Sequence, residues 1–401
     1  MKKIYILPNH KKKFGSDYLS YDDFNPCIPF FMTHPNILPE SYDEVVVKGV
    51  LETGNFFRSI IRHVDFLLKK DGVMNIQYLT LGVDSGTCAV RFLNDIQCEV
   101  ALVFKERIRL LSKEQKGNIT TLKYQKIDPA LDQKDDEGSF SFGIVSDGRK
   151  NAQVIECIRR IQKFKIPNYE ILICGPSPFK SNEDIPRDVT ILDDTGLTWD
   201  ARAPICRKKN MIIENAKFGN LLIMHDRIVL PLDWYERFKK HGNYYDIVCM
   251  PITAEQDASI RMNDWSTWRL KQYDYYPKSF LSYERWSENI LINGGFIMLK
   301  SKIAKNCKMP FYLHWAENED VEYSKKLSLN GYLITFARIL NIQSKNTRLK
   351  GSKTGGCFKK IRTNVGILKR FLTDKIIWYK YKKSIIQQYE YVKCRKNKNE
   401  I

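Results

Sequence analysis

Residues 206–238 read CRKKNMIIENAKFGNLLIMHDRIVLPLDWYERF. A helical segment carrying Lys208, Lys209 and Asn210 is followed by the apolar run 221–223, a strand. The strand ends in Met224-His225-Asp226-Arg227, with Pro231 and Trp234 beyond. Charged groups directly after a buried strand mark the place where open α/β sheets collect their ligands, outside the carboxyl ends of the strands.

The same punctuation recurs upstream. The run 140–145 (FSFGIV) ends in Ser146-Asp147-Gly148-Arg149, and a helical pattern follows with Val154, Ile155, Ile158 and Ile161 on one side. Residues 169–174 (YEILIC) end in Gly175-Pro176, and 188–192 end in Asp193-Asp194-Thr195-Gly196. Strands that alternate with helices and end in polar or glycine loops predict a doubly wound sheet. Downstream, Asn293-Gly294-Gly295 follows the apolar 290–292, and Glu317, Glu319 and Asp320 stand at the start of a further helical pattern with Tyr323 and Leu327.

The chain has 401 residues, 43% hydrophobic and 28% charged, which excludes a disordered or collagen-like protein and allows two domains. Its ten cysteines include no C-x-x-C pair and no zinc spacing, so reduced thiols fit better than a disulfide framework. Nothing in the sequence approaches the roughly 18 apolar residues of a membrane span. The basic N-terminus lacks a signal-peptide core, so a cytoplasmic location is expected. The net charge is +19, of which seventeen Lys plus Arg against three acids in 345–401 supply +14.

Before the acidic stretch 132–141 (DQKDDEGSFS), read as a linker, the pattern is a strand at 44–47, a helix at 55–70 stopped by Lys69-Lys70-Asp71-Gly72, and a strand at 73–79. Residues 38–52 (LPESYDEVVVKGVLE) and 67–76 (LLKKDGVMNI) resemble the second half of a class I methyltransferase. The glycine-rich loop that would wrap S-adenosylmethionine is missing, so 1–131 reads as a smaller, partial Rossmann-like α/β domain without catalysis of its own.

Residues 142–162 (FGIVSDGRKNAQVIECIRRIQ), 206–238, 292–300 (INGGFIMLK) and 315–332 (WAENEDVEYSKKLSLNGY) resemble, in that order, the motifs of a GT-A glycosyltransferase of the family 2 type. The resemblance covers 142–343 and implies a GT-A domain that transfers a sugar from a nucleoside-diphosphate sugar, with inversion, to a hydroxyl of a glycan or lipid-linked glycan in cell-surface polysaccharide synthesis. Asp147, Asp193 and Asp194 offer acceptors for the base or ribose, with turn or cap acids as the alternative. Arg149, Lys208 and Asn210 complete the donor-side set, and Arg149, Lys208 and Lys209 bring charge toward pyrophosphate. A solvated helix face is the other reading for Lys208 and Lys209.

Where the family places Asp-x-Asp, this chain has His225-Asp226-Arg227. Asp226 with His225 would hold manganese or magnesium, or Arg227 would supply positive charge directly. Asp320, then Glu319, then Glu317 are the expected general bases. Gly294, Gly295, Trp265 and Trp286 are the acceptor-side candidates, with a β-bulge as the other reading for the glycine pair and core packing for the rings, and His314 is a pre-helix residue or a late metal ligand.

The tail, 344–401, reads as a basic amphipathic helix suited to an anionic membrane surface, which would hold the enzyme peripherally on the cytoplasmic face. A helical pair packed on the catalytic domain is the alternative. Two other functions remain: a bifunctional S-adenosylmethionine-dependent methyltransferase and glycosyltransferase, and a nucleic-acid binder acting through the tail. No helix-turn-helix, zinc finger or RNP signature accompanies the tail, so no nucleic-acid partner is expected.

Overall fold

The computed structural model describes residues 1–7, 18–49, 57–79, 87–128, 138–195, 197, 204–262, 264–267, 279–287, 289–311, 313 and 318–345. Residues 1–345 cluster as one compact unit. The expected tail helix, Glu317, His314 and most of the linker lie outside the described residues.

Six strands form the N-terminal sheet: β1 (Lys3–Leu7), β2 (Tyr18–Ser20), β3 (Tyr42–Lys48), β4 (Leu68–Leu79), β5 (Ile108–Lys116) and β6 (Ile119–Lys126). Their order is β2-β1-β3-β4-β6-β5. The first four run parallel, and β6 is antiparallel to both its neighbours.

The helix between β3 and β4 spans Phe57–Leu67 and buries Ile60, Ile61, Val64 and Leu67 completely. Its periodicity is the one the sequence shows, but its end differs. Residues 69–72 do not separate helix from strand; they loop out within β4, because Tyr42 pairs with Leu68 and Glu44 already pairs with Val73. Asp71, at φ 64°, takes the left-handed turn of this bulge.

The second sheet has seven strands, among them β7 (Ser139–Val145), β8 (Asn168–Cys174), β9 (Val189–Leu192) and β10 (Asn220–His225). These four are parallel in the order β9-β8-β7-β10. The strand Phe296–Lys300 pairs antiparallel with β10, and Ile247–Cys249 and Ile334–Phe336 extend the far edge.

Both faces are covered, as a doubly wound sheet requires. Phe140, Phe142, Ile144, Leu222 and Met224 pack with the helices Asn151–Gln162 and Trp234–His241. Leu172, Leu221, Ile223 and Ile297 pack with the helices Ile205–Asn215 and Glu319–Leu329. Each such aliphatic side chain removed from water contributes about 1.5–3 kcal/mol. Gly143 lets Ile205–Asn215 lie close on β7, since a Cβ there would sit 2.3 Å from Ile212 Cγ2.

Strand β7 begins at Ser139, inside the stretch read as linker. The serines misled because their partners are distant in sequence: Ser141 Oγ donates to Glu170 at 2.7 Å, and Asn220 Nδ2 donates to the Ser139 carbonyl at 3.1 Å.

Contacts from the N-terminal region reach the second sheet and the segments beside it. Arg62, from the helix behind β3, forks onto Asp246, which immediately precedes the strand Ile247–Cys249. The Phe336 amide donates to the Pro26 carbonyl at 2.9 Å, and Lys105 reaches the Tyr332 hydroxyl at 2.8 Å. No described helix is long and apolar enough to cross a membrane.

Candidate functional site

The parallel register brings the ends of β7 and β10 side by side, with Val145 opposite His225. The two loops that leave them therefore meet. Asp226 N donates to the Val145 carbonyl at 3.3 Å, and Ser146 Oγ lies 3.5 Å from Asp226 Oδ2. Lys150 Nζ stands 4.0 Å from Asp226 Oδ1. Burial raises the Asp226 carboxyl above the usual carboxylate range, with Asp147 adding to the rise and Lys150, Arg227 and Ser146 opposing it.

The helix Ile205–Asn215 supplies two lysines to this end of the sheet. Neither lies on a solvated face: Lys208 is 3% exposed and Lys209 is 0%. Lys208 Nζ contacts Asp194 at 2.5 Å and donates to the Ser146 carbonyl at 2.9 Å. Lys209 Nζ donates to the Gly294 carbonyl at 2.7 Å and lies 3.9 Å from Glu319 Oε1. Burial lowers the Lys209 pKa, against the pull of Glu319.

Gly294 and Gly295 precede the strand Phe296–Lys300, whose antiparallel pairing returns them to the end of β10. The His225 amide donates to the Gly295 carbonyl at 2.9 Å. A Cβ at Gly294 would lie 3.0 Å from Glu319 Oε1 and 3.3 Å from Asp320 Cβ. One at Gly295 would lie 2.8 Å from an Arg227 guanidinium nitrogen. The glycine pair is thus a floor against which the acidic helix start and the Arg227 side chain close, and side chains there would push both away.

Glu319 and Asp320 open the helix Glu319–Leu329 after Asn318, which takes the left-handed conformation at φ 61°. Ser324 fastens this turn to the neighbouring strand: its Oγ donates to the Asp320 carbonyl at 2.6 Å and accepts from the Ile292 amide at 2.9 Å. The Val321 amide donates to Asp320 Oδ1 at 2.9 Å.

Other expected residues have different surroundings. Asp193 closes a turn on the Thr195 amide and hydroxyl, at 2.9 and 2.8 Å. Asp147 pairs with Arg149, whose side chain is 84% exposed, and that hydrogen bond lowers the Asp147 pKa. Asn210 exchanges both ends of its amide with the Met309 backbone at 2.9 Å, which ties it to a loop on the helical side.

Trp265 and Trp286 are buried in the core, and their indole N–H groups donate to the Arg285 and Ile334 carbonyls, each at 2.8 Å. These rings support the sheet edge and present no free face to a sugar. The sequence reading passed over Lys150 and Ser146. The helical spacing of Ile205, Cys206, Ile212 and Ile213 carried the signal for Lys209, because that spacing puts Lys209 on the buried stripe.

The expected manganese or magnesium meets a donor set of one carboxylate and one imidazole. Among the described residues no three His, Cys, Asp or Glu side chains gather to hold an ion. His225 Nε2 is shut off from solvent without a hydrogen-bond partner. Burial, with Lys209, Arg227 and Lys150 adding, holds the imidazole neutral, its pKa well below 6.5. Lys150 and Arg227 oppose the charge of Asp226, with Asp147 the other carboxylate acting on it, and positive groups so placed suit an anion.

No protein-family model matches the chain, and no curated protein matches it. Among solved structures, residues 1–349 of TarS from S. aureus are similar at a TM-score of 0.37 and 11% identity over 51% of this chain and 60% of that one. The same fragment in complex with UDP-GlcNAc gives 0.36 and 10%, over 54% and 62%. The mannosyltransferase PcManGT from Pyrobaculum calidifontis, in complex with GDP-Man and Mn2+, gives 0.34 and 10%, over 52% and 57%. The chain spans about three fifths of the length of these structures.

Proposed function

We propose that the chain is an inverting glycosyltransferase that moves a sugar from a nucleoside-diphosphate donor to a hydroxyl of a glycan or lipid-linked glycan. The observation that carries this reading is the glycine floor. Lys209, Arg227 and the carboxylates Glu319 and Asp320 converge on Gly294 and Gly295, beside the β7 and β10 ends that bear Asp147, Lys150 and Asp226. Cations and a carboxylate base gathered around one turn are what a displacement at an anomeric carbon needs.

In this mechanism the Asp320 carboxylate takes the proton of the acceptor hydroxyl, with Glu319 as the alternative base. The hydroxyl oxygen bonds to the anomeric carbon as the bond to the diphosphate breaks, and that electron pair leaves on the diphosphate. Lys150 and Arg227 stabilise the charge that develops there. Asp147 and Asp194 take the nucleoside side, Asp194 fixed by Lys208. The single displacement inverts the anomeric centre. A thermal-shift panel of nucleotide sugars, with and without manganese, tests the reading: stabilisation by at least one donor is expected, and no shift with any donor overturns it.

The setting we infer is a cytoplasmic enzyme of cell-surface polysaccharide synthesis, held peripherally at an anionic membrane face by 345–401. Liposome flotation of the full chain against a version ending at 343 tests this part, and equal flotation removes it.

A further inference from the structure

A groove of about 560 Å³ opens beside the helix Trp234–His241 and the hairpin Ile252–Ala254 and Asp257–Arg261. Three arginines line it, Arg237, Arg261 and Arg338, together with Tyr283, Ser259 and Asn341. It shares no residue with the glycine floor or its surrounding charges.

The acids that pair with these arginines stand outside the lining. Asp233 holds Arg237 at 2.8 Å, Asp264 holds Arg261 Nε at 2.7 Å, and Glu284 holds Arg338 at 3.3 Å, and among the described residues no Asp or Glu lines the groove. Arg237 Nη1 also donates to Asn341 Oδ1. The described wall thus presents guanidinium, hydroxyl and amide groups, with each guanidinium paired to one acid. Arg261 is also pinned in place, donating to the Leu281 and Trp265 carbonyls at 2.8 and 3.0 Å. The Tyr283 ring lies under Arg261, 4.1 Å from its guanidinium carbon, and 5.9 Å from that of Arg338. A shared ring thus holds two guanidinium groups at one end of the groove. The Arg338–Glu284 pair is 70% and 69% exposed, so an incoming oxyanion exchanges for Glu284 at little cost.

We propose that this groove is an oxyanion-binding subsite, taking a phosphate or carboxylate group of a ligand through the forked geometry of arginine. Where the transferase reading also holds, and this step rests on it, the group belongs to a charged acceptor glycan.

Phenylglyoxal labelling of the full chain, read peptide by peptide, tests the site without interference from the basic tail. The probes are inorganic phosphate, trigalacturonate and neutral maltotriose. Phosphate or trigalacturonate should slow modification of Arg237, Arg261 and Arg338 several-fold while exposed Arg109 is unaffected. Protection by phosphate alone assigns a phosphoryl ligand, and protection by both assigns either oxyanion. Equal protection by maltotriose, or no protection at Arg237 and Arg338, overturns the inference.

In the double variant Arg237→Ala, Arg338→Ala, protection of Arg261 should be lost while any melting shift given by a nucleotide sugar persists. Persistence of Arg261 protection would place the anion elsewhere. A missing nucleotide-sugar shift in the unmodified chain counts against glycosyl transfer and leaves this test standing.

Discussion

Two groups of charged side chains are withdrawn from water in this chain, and they are built differently. Where the N-terminal sheet meets the second sheet, Arg62 forks onto Asp246 and reaches Asp65 at 2.6 Å, and Arg107 takes both Asp65 oxygens at 2.6 and 2.8 Å. Lys126, at 0% exposure, donates to the Asp65 and Leu68 carbonyls. Both carboxylates there meet a guanidinium at bonding distance, and Lys126 stands 3.5 Å from Asp65. At the ends of β7 and β10 a close pair, Lys208 with Asp194 at 2.5 Å, stands beside longer ones: Lys150 to Asp226 is 4.0 Å and Lys209 to Glu319 is 3.9 Å, and His225 Nε2 has no hydrogen-bond partner. A closed network holds a structure together, whereas long ion pairs can open to admit a ligand's charge.

The sharpest test of that contrast is Asp320→Asn. Turnover should fall by about 10²–10⁴-fold with donor binding kept, as loss of a general base requires. Donor affinity that falls while turnover per bound donor holds would assign Asp320 to the structural side. Next comes Arg62→Ala, which takes the guanidinium from Asp246 and leaves Asp65 to Arg107 and Lys126, and should lower unfolding free energy by about 3–5 kcal/mol, read from urea midpoints. Lys150→Ala, at a half-exposed and distant pair, should change stability by less than about 1 kcal/mol and weaken donor binding instead. Equal destabilisation by the two variants would erase the distinction.

Acid should act on both regions alike. Burial lowers His63, in the N-terminal region, and His241, in the second, to about 4. The unfolded chain takes up these protons near pH 6.5 and the folded chain only near 4. Each group therefore contributes stability that is present above 6.5 and lost as the pH falls toward 4, up to about 3 kcal/mol apiece. Denaturation midpoints flat between pH 7 and 4.5 would contradict this. The smallest expected effect is that of chelation: with Lys150 and Arg227 acting on Asp226, EDTA should leave turnover within about twofold if side chains provide the phosphate's counter-charge. A large loss restored by manganese would transfer that role to an ion.

The second sheet was legible where burial is continuous. The runs at 140–145, 169–174 and 221–223 are apolar because both faces are covered, and they emerge as β7, β8 and β10. The hairpin of β5 and β6 was not foreseen, since β5 (IRLLSKEQK) buries none of its residues and its composition hides its pairing. In the site, strand ends and glycine pairs mark positions that sequence reveals, so Asp226 and Gly294 were nameable.

Partners were not, because they come from far along the chain. Asn210 and Trp286 look like ligand-facing groups until Met309 and Ile334 are seen to occupy their donors. The lysine pair was ambiguous for the opposite reason: Lys normally signals water, and only its place among Ile205, Cys206 and Ile212 argues otherwise.

That lysine pair also couples two turns. Lys208 grips the loop after β7 through the Ser146 carbonyl, and its sequence neighbour Lys209 grips the glycine turn through the Gly294 carbonyl. Consecutive residues of one helix thus tether both turns, so a shift of that helix is passed to the two together.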